Sequence, residues 1–406
     1  MQVLQVNQSD ISGGAAIAGY RLHQSLLAQN VDSRLLVGQA KTSSKHVNAI
    51  PRKPRIEPHI ARISDRLGLH YLQFVGSFDI PKHDFYKSAD VLNFHNLHTG
   101  TFNYLAVSTL TREKPAVFTL HDMWSFTGHC AYSYDCDRWQ TGCGHCPYPE
   151  SYPSIGRDNT QFEWKLKDWT YARSNLTIVA PSRWLTEQAQ KSMLSRFSIH
   201  HIPNGVDTEV YQPLDTQQCR SILGIPDDRK ILMFGADNLD DSRKGINLLI
   251  EALQILPQSL KQEALLLTFG HGGETISEMV GISSLNLGYV SNDRLKAIAY
   301  SAADLFIFPT RADNLPLVLQ ESMACGTPMV SFKIGGVSDL VRHDITGYLA
   351  NPEDTQDFRN GIVQLLENAD LREKMSQTCR AIALQEYSLQ LQTERYIELY
   401  HQILKN

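Results

Sequence analysis

Residues 308–331, FPTRADNLPLVLQESMACGTPMVS, constrain the fold of this chain more than any other stretch. A short apolar strand, 305–308, ends at Pro309, which has no N–H to offer a strand ladder. A loop follows with Asp313, Asn314 and Leu315, and then a helix carrying Glu321. Cys325-Gly326-Thr327-Pro328 ends that helix: glycine is a usual C-terminal stop, and a proline soon after it prevents continuation. A second apolar strand, 329–332, completes a strand–loop–helix–strand unit. Its two carboxylates lie eight residues apart, one in the loop beyond a strand's carboxyl end and one on the helix. Ligands of open α/β sheets bind at that edge. A carboxylate there can accept two hydrogen bonds from a vicinal diol, which makes sugar or ribose hydroxyls its natural partners.

At 406 residues the chain suits two domains of about 200 each. With 42% apolar and 20% charged residues, disorder is not expected. No apolar run approaches the roughly 20 residues of a membrane span. The start, MQVLQVNQSDISGG, has neither a basic n-region nor an apolar h-region, so a cytoplasmic protein is expected. The net charge of −5 is uneven: +3 over 1–210 and −8 over 211–406, with the densest basic stretch between Lys41 and Arg66. That asymmetry raises the question of an anionic surface. There is no basic recognition helix or aromatic–basic stripe, so nucleic acid is not an expected partner.

The chain opens as a βαβ unit: a strand at 2–6, a Gly13-Gly14 turn, an amphipathic helix at 15–29 and a strand at 33–37. Glycines there let backbone N–H groups approach an anion at the helix start, although a ligand-free tight turn reads the same way and the G-x-G-x-x-G fingerprint is absent. In 41–70, Ile60, Ile63, Leu67 and Tyr71 form one apolar face of a basic helix starting near Pro58. Such a helix either lies on an anionic membrane or covers the core with its charges solvated. Strands recur at 91–94, 116–120, 176–180 and 200–202. His95, His98 and His121 stand at two successive strand ends and favour a site there.

Between Cys130 and Cys146 the sequence CAYSYDCDRWQTGCGHC holds Cys130, Cys136, Cys143 and Cys146 with C-x5-C-x6-C-x2-C spacing. In a cytoplasmic chain such a cluster favours a metal over disulfides, and thiolates suit a closed structural zinc site, with His129 or His145 able to replace a cysteine. The reading as free thiols stays equally open. Cys219, Cys325 and Cys379 are isolated and expected to be buried apolar residues.

Near Val206 the text turns polar, and 206–228 reads as a linker with a short helix. A second alternation follows: strand 231–234, a helix from Gly245, strands 265–269 and 286–287, a helix from Asn292, and then the opening unit. Four of its strand-end loops are polar: one with Arg243 and Lys244, one at Gly270-His271-Gly272-Gly273, one from Asp313 to Glu321, and one at Gly335-Gly336. Helix starts beside a Lys/Arg pair make a diphosphate site, and the carboxylates beside it suit ribose and sugar hydroxyls. A diphosphate joining ribose to sugar is a nucleotide sugar. The last helix, 389–404, has Ser388 as its N-cap.

Across nearly its whole length the chain resembles the retaining family 4 glycosyltransferases of GT-B architecture. The most specific match is Asp313–Val330, which resembles the family's E-x7-E element and the helix end after it. Gly13-Gly14, His121-Asp122, Ala180-Pro181-Ser182, Pro203-Asn204-Gly205-Val206-Asp207, Arg243-Lys244-Gly245 and Gly335-Gly336 support it. The segment from His121 to Cys146 resembles a subgroup tied to colanic-acid and other exopolysaccharide synthesis. The resemblance implies an α/β fold of two doubly wound, Rossmann-like domains facing across a cleft. These are 1–210 on the acceptor side, with a Cys-rich insertion at 129–147, and 211–385 for the nucleotide sugar. A helix over 386–406 packs back toward the first domain.

It also implies roles. Lys244, with Arg243, contacts the donor diphosphate, and Glu321 holds the ribose. Asp313, with Asn314 and Leu315, faces the donor sugar. Gly14 and His121 lie near donor phosphate and acceptor, and Gly335-Gly336 adds backbone donors. Asp313, His121 and Lys244 are the residues expected to carry the reaction. Two positions depart from the family: the first acid is Asp313 rather than Glu, and Asn238 replaces a basic residue often found six positions before the lysine.

The implied reaction is transfer with retention from a UDP- or GDP-sugar to a hydroxyl of a glycan or lipid-linked acceptor. The departing phosphate takes the acceptor proton. There is no Asp-x-Asp motif near a strand end of the second half, so no catalytic divalent cation is expected. The basic 41–66 segment allows for a peripheral place on the inner face of a membrane. The rivals are a catalytically degenerate nucleotide-sugar-binding or scaffold protein of a polysaccharide assembly, and a sugar-nucleotide epimerase.

Overall fold

A computed structural model describes residues 1–99, 101–272 and 276–405. Gly273, the end of one glycine-rich loop of the second half, lies outside the described residues. The chain divides into two compact units, Met1–Pro203 with Gln392–Asn406, and Asn204–Leu391.

Unit 1 is built on seven parallel strands: β1 (Gln2–Ser9), β2 (Asp32–Gln39), β3 (Val47–Ala49), β4 (Val91–Phe94), β5 (Ala116–Thr119), β6 (Leu176–Ala180) and β7 (Ile199–His201). Their order is β3-β2-β1-β4-β5-β6-β7. Helices cover both faces of such a sheet, which is why β4 and β5 are buried at every position instead of alternating.

The final helix, Leu389–Ile403, belongs to this unit from Gln392 onward. Tyr396 and Tyr400, one turn apart, pack among Val3, Val91, Val117 and Val179. Their hydroxyls meet the polar groups of the strands beneath: Tyr396 lies 2.9 Å from Thr119 Oγ1, and Asn93 Nδ2 donates to Tyr400 at 2.9 Å. Thr119 Oγ1 also donates to Asn93 Oδ1 at 2.9 Å, so a purely apolar helix would leave the Asn93 Nδ2 donor without this partner.

The basic segment does not cover the core with its apolar face. The helix Glu57–Arg66 buries Glu57 and Ser64 and leaves Ile63 62% and Leu67 49% exposed. Glu57 turns inward because it accepts from Arg52 Nε at 2.7 Å and from the Lys53 N–H at 2.9 Å, tying down the approach to the helix.

Unit 2 holds six parallel strands: β8 (Lys230–Asn238), β9 (Ala264–His271), β10 (Ser283–Asn286), β11 (Leu305–Phe308), β12 (Met329–Phe332) and β13 (Gly347–Ala350). The order is β10-β9-β8-β11-β12-β13, a doubly wound sheet whose direction of winding reverses between β8 and β11. β10 is an edge strand of sequence SSLN that pairs through Ser283 and Leu285, so hydrophobicity alone places it a few residues late. The polar linker contains the helix Thr216–Leu223, capped by Asp215 and closed by left-handed Gly224. Among the described residues no helix is long and apolar enough to cross a membrane.

Candidate functional site

The reversal in unit 2 puts the loops after β8 and β11 side by side. Asp241 accepts from the Arg243 N–H at 2.9 Å and starts a single turn, Ser242–Lys244. Gly245 ends that turn at φ 78°, and a Cβ there would stand 1.9 Å from Pro309 O. Only glycine permits that approach, and it seats Lys244 against the end of β11. Lys244 Nζ lies 2.6 Å from Asp313 Oδ2 and 5.1 Å from the centre of the Phe308 ring. Arg243 reaches the same carboxylate oxygen at 3.3 Å, Ala312 O at 2.9 Å and Asp241 at 3.1 Å.

Burial, then the charge of Arg243, pushes Lys244 below the ordinary lysine value against the pull of Asp313. Burial works to raise Asp313, but Lys244 and Arg243 outweigh it and hold the carboxyl below its usual range. Asp313 is therefore ionised at neutral pH, and its carboxylate is shared by two basic side chains.

The Gly335-Gly336 turn backs this arrangement. The Gly336 N–H donates to Asp313 O at 3.2 Å, and a Cβ on Gly335 would stand 2.1 Å from the same oxygen. That amide thus holds the Asp313 loop. Asn314 and Leu315 are buried, and the Asn314 N–H donates to Asp313 Oδ1 at 3.2 Å. Glu321 is 3% exposed on the helix Leu317–Ala324, where the Tyr300 hydroxyl donates to its Oε2 at 3.3 Å. Burial, then the Glu321 charge, raises Tyr300 well above its ordinary value.

Unit 1 carries a second polar set at the ends of β1, β4 and β5. Gly13, at φ 84°, leads into the helix Gly14–Ala28, which has no side-chain cap and no acid in its first turn. A Cβ on Gly14 would meet nothing within 4 Å. His95 Nδ1 lies 3.0 Å from His121 Nε2, and His95 Nε2 lies 2.7 Å from Gln5 Oε1. That oxygen must accept, so His95 Nε2 carries a proton. Burial pushes His121 down to about 4 and His95 well below the imidazole range, so both rings are neutral at pH 7.

His98 Nε2 lies 2.8 Å from Asp122 Oδ2, and the buried Nδ1 of His98 has no hydrogen-bond partner. Asp122 also accepts from the Trp124 N–H at 2.8 Å. A small cavity opens over His95, His98, His121, Asp122 and Trp124. The strand-end histidines signalled this set. The orphaned nitrogen depends on which ring atom Asp122 takes, and no sequence pattern reports that.

Behind it lies the cysteine segment. All four cysteines are free and half-buried. The Gly128 N–H donates to Cys143 Sγ at 3.2 Å, and His129 Nε2 lies 3.1 Å from Cys146 Sγ. Among the described residues no three His, Cys, Asp or Glu side chains are arranged around a metal position.

Comparison with known proteins follows the same two-unit division. A model of the glycosyl transferases group 1 family matches residues 215–381, and one of glycosyltransferase family 4 matches residues 12–210. A putative colanic acid biosynthesis glycosyl transferase, WcaC of Escherichia coli K12, is 27% identical across 99% of this chain and 100% of its own length. Among solved structures, sucrose-phosphate synthase of Thermosynechococcus elongatus has a TM-score of 0.73 at 16% identity, covering 100% of both chains. HepE of Anabaena, in complex with UDP, has a TM-score of 0.70 at 17% identity, covering 99% of this chain and 100% of that one.

Proposed function

The chain belongs to the family 4 glycosyltransferases, and from that premise we propose that it moves a sugar from a nucleoside-diphosphate sugar to a hydroxyl of a glycan or lipid-linked glycan during exopolysaccharide assembly. One observation carries the reading: Lys244 and Asp313 meet at the β8/β11 reversal, where a doubly wound sheet binds its ligand. Lys244 and Arg243 take the diphosphate, Glu321 the ribose hydroxyls, and Asp313, with Asn314 and Leu315 shaping its loop, the donor sugar. UDP is the first nucleotide to try, since HepE is solved with UDP and with UDP-glucose.

In this reading the bond from the anomeric carbon to the diphosphate oxygen breaks. The acceptor oxygen bonds to that carbon from the same face, and its proton passes to the departing phosphate. Lys244 stabilises the charge that develops on the diphosphate, and preorganised groups of this kind contribute about 3 kcal/mol each. No divalent cation is required. The unit 1 set, with Gly14 and His121, serves phosphate and acceptor, and the neutral histidines are suited to hydrogen-bonding sugar hydroxyls.

The test is thermal protection by UDP-, GDP-, ADP- and CMP-sugars, followed by transfer of labelled sugar from whichever one protects. Protection with transfer supports the enzyme; no protection by any of them overturns it. The second reading is a non-catalytic nucleotide-sugar-binding protein of the same assembly. It is favoured by Asn238 at a position often basic in the family and by the neutralisation of Lys244 by Asp313. Binding without transfer or hydrolysis would establish it.

A further inference from the structure

The transfer reaction leaves segment 129–147 unused, yet this is where the chain concentrates its thiols. We propose that Cys130, Cys136, Cys143 and Cys146 bind one zinc ion as a closed, structural four-thiolate site within unit 1.

Gly128 and His129, which lead into Cys130, lie against Cys143 Sγ and Cys146 Sγ, so the chain before the first cysteine folds back onto the last two. A backbone amide is already aimed at one of them: Gly128 N–H donates to Cys143 Sγ at 3.2 Å. N–H···S bonds disperse the charge of a metal-bound thiolate and orient it. His129 is set against the other. Its Nδ1 lies 2.9 Å from Pro153 O, which can only accept, so Nδ1 carries a proton and Nε2 is turned to Cys146 Sγ at 3.1 Å.

The turn between the last two cysteines is wound for such a site. Gly142, Cys143, Gly144 and His145 all have positive φ, at 143°, 55°, 90° and 49°. Two non-glycine residues in that region are strained, and such strain persists where the surroundings over-determine it. A metal holding both Cys143 and Cys146 would do so.

Charge points the same way. Four thiolates around Zn²⁺ carry two negative charges, which need buried compensation. Lys167 is 0% exposed, donates to Trp124 O at 2.7 Å and Thr127 O at 2.9 Å, and lies 3.6 Å from the centre of the Trp124 ring. It is within electrostatic reach of Cys130 and Cys143.

The thiols do not yet surround one point. Binding therefore has to draw them together, and rotation of a cysteine side chain between staggered wells carries its sulfur roughly 3 Å toward that. Four thiols give up their protons to solvent as four Zn–S bonds replace bound water. The closed site braces the loop that carries Asp122 and Trp124: the Met123 N–H donates to Ala131 O at 2.9 Å, beside Cys130.

Full-length protein purified without chelator should carry about one zinc per chain by plasma mass spectrometry. Cobalt loaded in its place should give thiolate charge-transfer bands and tetrahedral d–d bands. The double variant Cys143→Ser, Cys146→Ser should lose both signals, while Cys219→Ser retains them. If the double variant fails to fold, stepwise mercurial titration of the wild type reads the same point, because zinc should leave as these thiols are modified. The proposal is overturned by zinc below about 0.1 per chain after growth in added zinc, by zinc retained in the folded double variant, or by an intact mass showing the four cysteines paired as disulfides.

Discussion

Lys244 Nζ and Asp313 Oδ2 stand 2.6 Å apart across the seam between β8 and β11. The same oxygen is 3.3 Å from Arg243. The site therefore holds an anion of its own. Under the proposed function a diphosphate would exchange with that anion at Lys244 and free Asp313 for the sugar hydroxyls. The two residues are thus coupled, and they fail differently when changed.

Lys244→Ala should lower transfer by about 10²–10³-fold, the usual effect of losing one preorganised charge-stabilising group. Folding should suffer little, because Arg243 still pairs Asp313. Asp313→Ala should also lower stability by about 3 kcal/mol, since it leaves two neighbouring, mostly buried cations without their shared carboxylate. The double variant should be more stable than Asp313→Ala alone. Urea unfolding of the three variants beside a transfer assay checks this, and a Lys244→Ala variant with normal turnover would remove Lys244 from the site.

Much of this pair was legible in the sequence. Pro309 marks the end of β11 and Gly245 the start of the helix after the Arg243-Lys244 loop, and residues just past strand ends face a ligand edge. The doubly wound architecture also follows from alternating apolar strands and helices. What stayed hidden depends on partners far apart in sequence. The apolar periodicity of 57–67 was visible, but its direction was not. Glu57 turns inward because of Arg52 and the Lys53 amide, and that leaves Ile63 and Leu67 outside. The Gly335-Gly336 pair reads as a phosphate turn, yet the Gly336 amide is bonded to Asp313 O. Lys167 is held in the interior by two turn carbonyls, Trp124 O and Thr127 O, a pairing across about forty residues that no local pattern reports.

Gly335 tests that support directly. At φ 50°, with Asp313 O 2.1 Å from where a Cβ would be, alanine must displace the Asp313 loop. Gly335→Ala should lower the unfolding midpoint and weaken donor protection together. Gly142→Ala is the matching control, with positive φ but nothing within 4 Å of its Cβ position, and it should leave donor protection unchanged. Equal donor protection in the wild type and Gly335→Ala would show that the turn does not position Asp313.

Stability should fall with acid through buried histidines. Burial, and then His46, holds His23 at about 4, against an ordinary 6.5. Burial holds His121 at about 4 as well. A base whose pKa is depressed by folding keeps its full contribution above 6.5 and loses it as pH falls toward 4, because only the unfolded chain takes up the proton in that window. Each ring then contributes a loss of about 3 kcal/mol. His23 Nδ1 pairs with Ser33 Oγ at 2.8 Å, away from the polar set at the strand ends. His23→Gln should therefore flatten the slope of unfolding free energy between pH 7 and pH 4.5 in part, the remainder staying with the other depressed histidines, among them His95 and His121. An unchanged slope would show that His23 does not titrate with folding.

The inverted helix Glu57–Arg66 bears on where the enzyme works. Ile56, Ile63 and Leu67 are exposed and fall within about 40° of one another around a helix of 3.6 residues per turn. Arg55, Arg62 and Arg66 are each one residue earlier and flank that stripe. Exposed apolar groups beside arginines suit an anionic bilayer, where the side chains enter the headgroup boundary and each cation adds about 1 kcal/mol. The protein should sediment with vesicles of phosphatidylglycerol and phosphatidylcholine, and less so as salt rises past about 0.1 M, where the screening length is about 10 Å. Ile63→Asp with Leu67→Asp should abolish sedimentation while leaving the unfolding midpoint nearly unchanged, since neither side chain is packed. If that variant binds vesicles as well as the wild type, or if the wild type binds neutral vesicles equally, this helix is not a membrane contact.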